Sequence, residues 1–352
     1  MLDVDGKTLA RALSLMPGDE VTMMVCPSSG IVLRSLVAHC AVERTIPCTV
    51  SSKNEELVSL QRGALASACK ALSGGDHPIR MTISGGRATL SSDKSRLRVP
   101  LNPDPQWQEW PNLPRKSVEM SVGDISSSLG AVQWAMAKDS DRGRAPAVCL
   151  TPWVGDGKMW CWSVPAMSVV PCEAAEGLRP TALPSYVSML ISGAPSDSTM
   201  TLNMDDQWAI ASVPGARIRW RHDGALLDEA YYPEKLMGQY QESLVDRVSV
   251  EGAVFSSAMT ILAAVGPHKA TIRSLAGESS IKIIASTASE SLAGSVDVAA
   301  SPSKDWECAF NGTVLRSAAK CAEKSKHIDL IMAKGAMVIS FDGRRSLVLG
   351  RR

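Results

Sequence analysis

The chain has 352 residues, 45% of them hydrophobic and 21% charged, with 37 basic against 36 acidic residues and a formal net charge of +1. A sum so close to zero excludes attachment to nucleic acid or to a membrane surface by bulk charge, so any such function must come from where the charges are placed. There is no signal peptide or apolar run of membrane-spanning length, and the nine cysteines are scattered with no C-x-x-C pair and no His/Cys cluster. The expectation is a cytoplasmic protein with reduced core thiols and neither metal nor cofactor.

Val4-Asp5-Gly6 opens the first helical pattern, in which Leu9, Ala12, Leu13 and Met16 share a face. Alternating strands follow over Val21 to Val25 and Ile31 to Val50. A second helix, with Leu65, Ala68, Cys69 and Leu72 on one face, stops at Ser73-Gly74-Gly75. The period then changes to two: Met81 and Ile83 alternate with Arg80, Thr82 and Ser84, and Gly85-Gly86 permits the positive φ angles of a tight hairpin. The proline-rich stretch Asn102 to Pro114 punctuates the chain.

The same order returns twice. Val122-Gly123-Asp124 opens a helix on Ile125, Leu129, Val132 and Met136. Later come a helix on Tyr186, Val187, Leu190 and Ile191, a strand over Thr199 to Met204, the turn Asp205-Asp206 and a strand over Gln207 to Val213. After a second punctuation at Tyr231 to Leu244, Val250-Glu251-Gly252 opens a helix on Val254, Ala258, Ile261 and Val265. A helix on Val314, Leu315, Ala318 and Cys321 then feeds strands His327 to Met332 and Ala336 to Phe341 around Lys334-Gly335. The hairpin turns recur every 120 to 130 residues, too long a period for a solenoid. The fold class is therefore α+β: three tandem domains, residues 1–116, 117–244 and 245–352, each with two helices covering one face of an antiparallel sheet.

Three such units, the first ending in a strand and then SRLRVPLNPDPQWQEWPNLP (Ser95 to Pro114), resemble the bacterial DNA polymerase III beta subunit, the sliding clamp. The similarity is strongest from Lys94 to Pro114 and in the helices Ser127 to Ala137 and Ala253 to Val265. Low residue identity and a shortened first-domain strand region imply a divergent, bacteriophage-encoded member. The resemblance implies that each chain forms half of a closed homodimeric ring, helices inside and sheets outside, around double-stranded DNA held without regard to sequence. It also implies a clamp loader and a replicative DNA polymerase as partners.

On that reading cations on the inner helices meet phosphate. Arg316, Lys320 and Lys324 stand four residues apart on the last helix, with Lys326 just beyond. Lys7 with Arg11, and Arg62 with Lys70, are the first-domain candidates, and Lys138, Arg142 and Arg144 follow the second-domain opening helix, diluted by Asp139 and Asp141. The family's partner-peptide pocket, carried over by position, falls on Val164, Ala166, Met167 and Val169, on Tyr240 and Leu244 of the linker, and on Leu347, Val348, Leu349 and Arg351 of the tail. Its residues depart from the family's threonine-aspartate-glycine-histidine-arginine-leucine loop and methionine-proline-methionine tail, while staying largely apolar. The head-to-tail contact implied by the family joins Ser95, Leu97 and Val99 of one copy to Thr260, Ile261 and Leu262 of the next.

Other chemistry is thin. The histidines sit apart, there is no HExxH or GxSxG, and Asp205-Asp206 is read as a solvated hairpin tip rather than a carboxylate pair. No catalytic residue is assigned. Two functions remain: a processivity clamp that encircles DNA and tethers a polymerase, or a clamp-fold interaction protein, a decoy or inhibitor of replication proteins, that does not.

Overall fold

The computed structural model describes residues 1–37, 40–73, 78–92, 95–107, 110, 116–136, 151–163, 165–205, 207–221, 233–241, 243–265, 268–287 and 293–350. Its helices are α1 (Gly6–Ser14), α2 (Arg62–Leu72), α3 (Val122–Val132), α4 (Ser185–Gly193), α5 (Pro233–Gln241), α6 (Gly252–Ala263) and α7 (Gly312–Cys321). Six of these are the ones the periodicity predicts. The additional one, α5, lies where the sequence reads only punctuation: Pro233 takes the first helical position, where its missing N–H is no loss, and starts a nine-residue helix.

The three repeated hairpins form as expected, pairing Ile79–Ser84 with Arg87–Ser92, Thr199–Met204 with Trp208–Val213, and Ile328–Ala333 with Ala336–Phe341. Gly85 and Gly86 take φ values of 56° and 69°, which a side chain would strain. The glycine that opens each repeat has a packing cause as well. A Cβ at Gly6 would run into Ile79 and Ser73, one at Gly123 would lie 3.0 Å from the Ser196 carbonyl oxygen, and one at Gly252 would meet the Ala322 and Ser325 carbonyls. In every repeat the first helix thus begins against the chain that leaves the second helix.

The chain divides into two units, Met1–Gly123 with Ser185–Asp223, and Asp124–Pro184 with Gly224–Arg352. The first holds a 13-stranded antiparallel sheet, and the second holds sheets of eight and four strands. Strands assigned by sequence to different repeats pair directly: Ala216–Arg221 with Cys40–Ile46, and Ala166–Pro171 with Arg344–Leu349. Leu9, Leu13, Leu60 and Leu65 are fully buried in the first unit, as Phe255, Phe310 and Leu315 are in the second. Burying such side chains is worth about 1.5–3 kcal/mol each.

One helical face differs from expectation. In α6 the buried residues are Gly252, Phe255, Ser256, Ala258, Met259 and Leu262, whereas Val254 and Ile261, placed by sequence on the packed face, are 41% and 57% exposed. The segment GAVFSSAMTILA is apolar nearly all round, so periodicity alone offers two stripes and packing selects one.

Candidate functional site

The six helices other than α5 are charged unevenly: every cation lies on α1, α2 or α7, α3 carries only an acid, and α4 and α6 carry no charge. Together they hold six cations, Lys7, Arg11, Arg62, Lys70, Arg316 and Lys320, and one acid, Asp124. Lys7, Arg11, Lys70, Arg316 and Lys320 are exposed. Asp5 and Asn311 cap α1 and α7 by accepting from backbone N–H groups, which fixes the first turns ahead of Lys7 and Arg316. Lys324, expected in one stripe with Arg316 and Lys320, is also exposed but lies in the turn beyond the end of α7, out of helical register. Lys138, Arg142 and Arg144 lie outside the described residues.

Sequence reading missed Arg44. It rises from strand Cys40–Ile46, and its guanidinium nitrogens lie beside Gly193 at the end of α4, where the Arg11 guanidinium also arrives. Arg11 Nη2 donates to the Ser192 carbonyl oxygen at 3.5 Å. Burial, and then the Arg11 charge, hold Arg44 below the usual arginine range. Only the shared sheet brings residue 44 to α4, so no local pattern in VERTI announces it.

In the second unit, strands Ala166–Pro171 and Arg344–Leu349 sort the predicted pocket residues by face. Met167, Val169 and Leu347 pack with Trp153, Trp160 and Met237, and Tyr240 and Leu349 lean on the same cluster. Ala166 and Val348 do not join them, a correction to the sequence assignment: they stand opposite each other in register, and Val348 belongs to the core under α6 and α7. Between them and the pocket face the strand alternates, as the buried Ser168 shows by donating to the Ala131 carbonyl oxygen at 3.0 Å. Leu244 is 52% exposed at the start of Leu244–Val250 and is not part of the cluster. Val164 and Arg351 lie outside the described residues.

Helix α5 roofs this face with Met237, and beside it remains a cleft of about 260 Å³. Val169, Pro171 and Met237 give it an apolar floor; Lys158, Glu234 and Arg345 stand around it. Lys158 Nζ is ion-paired with Glu234. Burial pushes the Glu234 carboxyl up, but the hydrogen bond from Lys158 and the Lys158 and Arg345 charges more than offset it, leaving the group below its ordinary range.

Solved structures similar to the chain over its full length include the beta sliding clamp of C. crescentus, with a TM-score of 0.79, 12% identity, and coverage of 100% of this chain and 99% of that one. The DNA polymerase III beta subunit of Thermotoga maritima gives 0.78, 13%, and the same coverage, and that of Pseudomonas aeruginosa 0.76, 12%, with 100% of both chains. The chain has the bacterial beta sliding-clamp fold. No protein-family sequence model matches it, and no curated protein sequence does.

Each unit also has a strand with an unpaired edge among the described residues. Ser95–Asn102 pairs along one side with Arg87–Ser92, but on its other side only Leu101 and Asn102 are paired, leaving the Ser95 to Pro100 edge open among the described residues. In the second unit Ala293–Ala299 is the outermost strand of its sheet. The first edge carries exposed Arg96 and Arg98 with Leu97 37% exposed; the second carries exposed Asp297. Of the other residues expected at this contact, Thr260 and Ile261 are exposed, Val99 is 3% exposed, and Leu262 is 2% exposed. Leu262 is therefore corrected from contact to core, where it packs close to Gly294, and Val99 likewise faces inward.

Burial also decides the chemistry of the thiols. All eight described cysteines are free, and desolvation raises Cys40 to about 11 and Cys69 to about 12. Thiols held protonated in this way are poor nucleophiles and fill core space instead. Among the described residues no helix is long and apolar enough to cross a membrane, and no three His, Cys, Asp or Glu side chains form a metal-binding group.

Proposed function

We propose that the chain is a DNA sliding clamp, a non-enzymatic processivity factor of which two copies close head to tail around duplex DNA and tether a replicative polymerase. The observation that carries this reading is the segregation of charge: six cations against one acid on the helices that would line the hole, within a chain of net charge +1. Such a layer holds phosphate without reading bases, which suits sliding. The open strand edges support closure, since an unpaired edge with an exposed apolar residue is a template for another strand, and Arg96 and Arg98 complement Asp297. The reading brings with it the division into domains 1–116, 117–244 and 245–352, a cytoplasmic location, a clamp loader, and partner peptides held against Met167, Val169, Tyr240 and Leu347.

The deciding experiment loads the protein onto nicked circular DNA with its loader and ATP and passes it through a gel-filtration column in moderate salt. Retention on circles and loss after linearisation is the expected result; equal loss from both overturns the ring. The second reading, a clamp-fold interaction protein that does not encircle DNA, is favoured by one feature: the segment Val164 to Val169 lacks the threonine, histidine and arginine of the family loop.

A further inference from the structure

We propose that the cleft beside α5 is a specificity site in which Arg345 binds the carboxylate of an acidic residue in a partner peptide while a neighbouring apolar side chain of that peptide rests on Val169, Pro171 and Met237. The inference rests on the peptide-binding reading above but concerns residues outside the pocket carried over from sequence, apart from Val169.

The cleft is small. A volume of about 260 Å³ is below the range of about 300–1,000 Å³ typical of small-molecule and cofactor sites, and it suits one or two side chains. The cleft is lined by both apolar and charged residues. Its floor is apolar and its walls hold two cations and one acid, so the ion pair between Lys158 and Glu234 leaves the Arg345 charge over. Arg345 is exposed, and no side-chain hydrogen bond or ion pair holds it among the described residues, though Glu234 lies near enough to feel its charge. Its strand position fixes it at the cleft, because Arg345 stands directly opposite Val169 in the antiparallel register and so shares that face. A planar guanidinium beside an apolar floor matches a carboxylate adjacent to an apolar side chain, and it can donate two parallel N–H hydrogen bonds to the carboxylate oxygens.

The Lys158–Glu234 pair has a separate part in this arrangement. It ties the first turn of α5 to strand Lys158–Ser163, so the wall of the cleft opposite Arg345 is held before any ligand arrives. A pre-formed wall reduces the ordering a bound peptide would otherwise require.

The test is fluorescence anisotropy on the full chain with a fluorescein-labelled glycine-serine decapeptide carrying one phenylalanine followed by one aspartate, against counterparts with asparagine or lysine in place of the aspartate. The aspartate peptide is expected to bind at least tenfold more tightly than the asparagine one. Arg345→Gln should abolish that preference, and Arg345→Glu should reverse it in favour of the lysine peptide; unchanged circular dichroism confirms the fold at this exposed position. Equal affinity of the wild type for aspartate and asparagine peptides, binding of neither, or a preference that survives Arg345→Glu overturns the proposal. So does displacement by inorganic phosphate of an aspartate peptide that binds equally well without its phenylalanine, which would mark a plain anion site. The assay contains no DNA: peptide preference without retention on DNA circles overturns the ring alone, and retention without peptide preference overturns this site alone.

Discussion

Ile261 and Leu262 are neighbours on α6 whose side chains leave the helix about 100° apart, the first 57% exposed and the second 2% exposed against Gly294 in the second unit's core. They therefore separate association from folding. Ile261→Lys should leave the fold intact and weaken self-association about 100-fold, because a desolvated, unpartnered ammonium costs several kcal/mol at a contact. Sedimentation equilibrium reads this directly. Leu262→Ala should instead lower stability by about 2–5 kcal/mol in chemical denaturation, with the solution mass at native conditions unchanged. A wild type already monomeric at micromolar concentration would remove the ring.

Lys7, Lys70, Arg316 and Lys320 can be tested apart from the fold because they are exposed. Reversing Lys7, Lys70, Arg316 and Lys320 to Glu should shift the unfolding midpoint little, since surface substitutions away from packing stay within about 0.5 kcal/mol each. Retention on DNA circles should fall, and weak direct binding should lose about 0.9 from its salt slope for each phosphate contact removed. An unchanged slope would show that these helices do not face DNA.

Glu43 is the centre of a partly buried array in the first unit. It accepts from Arg34 and, at 2.7 Å, from Arg217 Nε, while the Arg34 guanidinium lies 3.8 Å from the Trp107 ring centroid and that of Arg217 4.4 Å from Trp110. Glu43→Ala removes an acid from the Arg34 side chain, which is 5% exposed. A loss of about 3–5 kcal/mol in urea unfolding is expected, with a change in tryptophan emission as the stacked rings lose their fixed cations. Emission and stability both matching wild type would show the array to be incidental.

Asp246 gives the second unit a pH dependence of known sign. Burial raises its carboxyl, but hydrogen bonds from Ser303 Oγ, from the Lys304, Ser303 and Arg247 N–H groups, outweigh this and set it below the ordinary value of 3.8. A depressed folded value means that the stability it contributes is fully present above the unfolded value, and is lost as pH falls through the folded one. Unfolding midpoints should therefore drop on acidification from about pH 4 downward, and Asp246→Asn should flatten that drop while costing about 1–3 kcal/mol at neutral pH. A mutant with the wild-type acid profile would assign the transition to other carboxylates.

Local physics was legible without the structure. Periods of 3.6 and 2 marked six helices and three hairpins, Gly85-Gly86 marked a turn, and the recurrence of the whole order marked three copies, because these signals depend only on neighbours along the chain. What only tertiary structure decided concerns partners and faces. Residue 216 pairs with residue 44, and 166 with 348, through hydrogen bonds between strands far apart in sequence, which bring Arg44 to Arg11 and Arg345 to Val169. In α6, apolar on both sides, the choice of Leu262 over Ile261 for the core came from the sheet it meets. Helix α5 was hidden for the same reason: PEKLMGQYQ has only a weak apolar stripe, and it is Met237 seated among Trp153, Trp160 and Val169 that makes the segment worth folding.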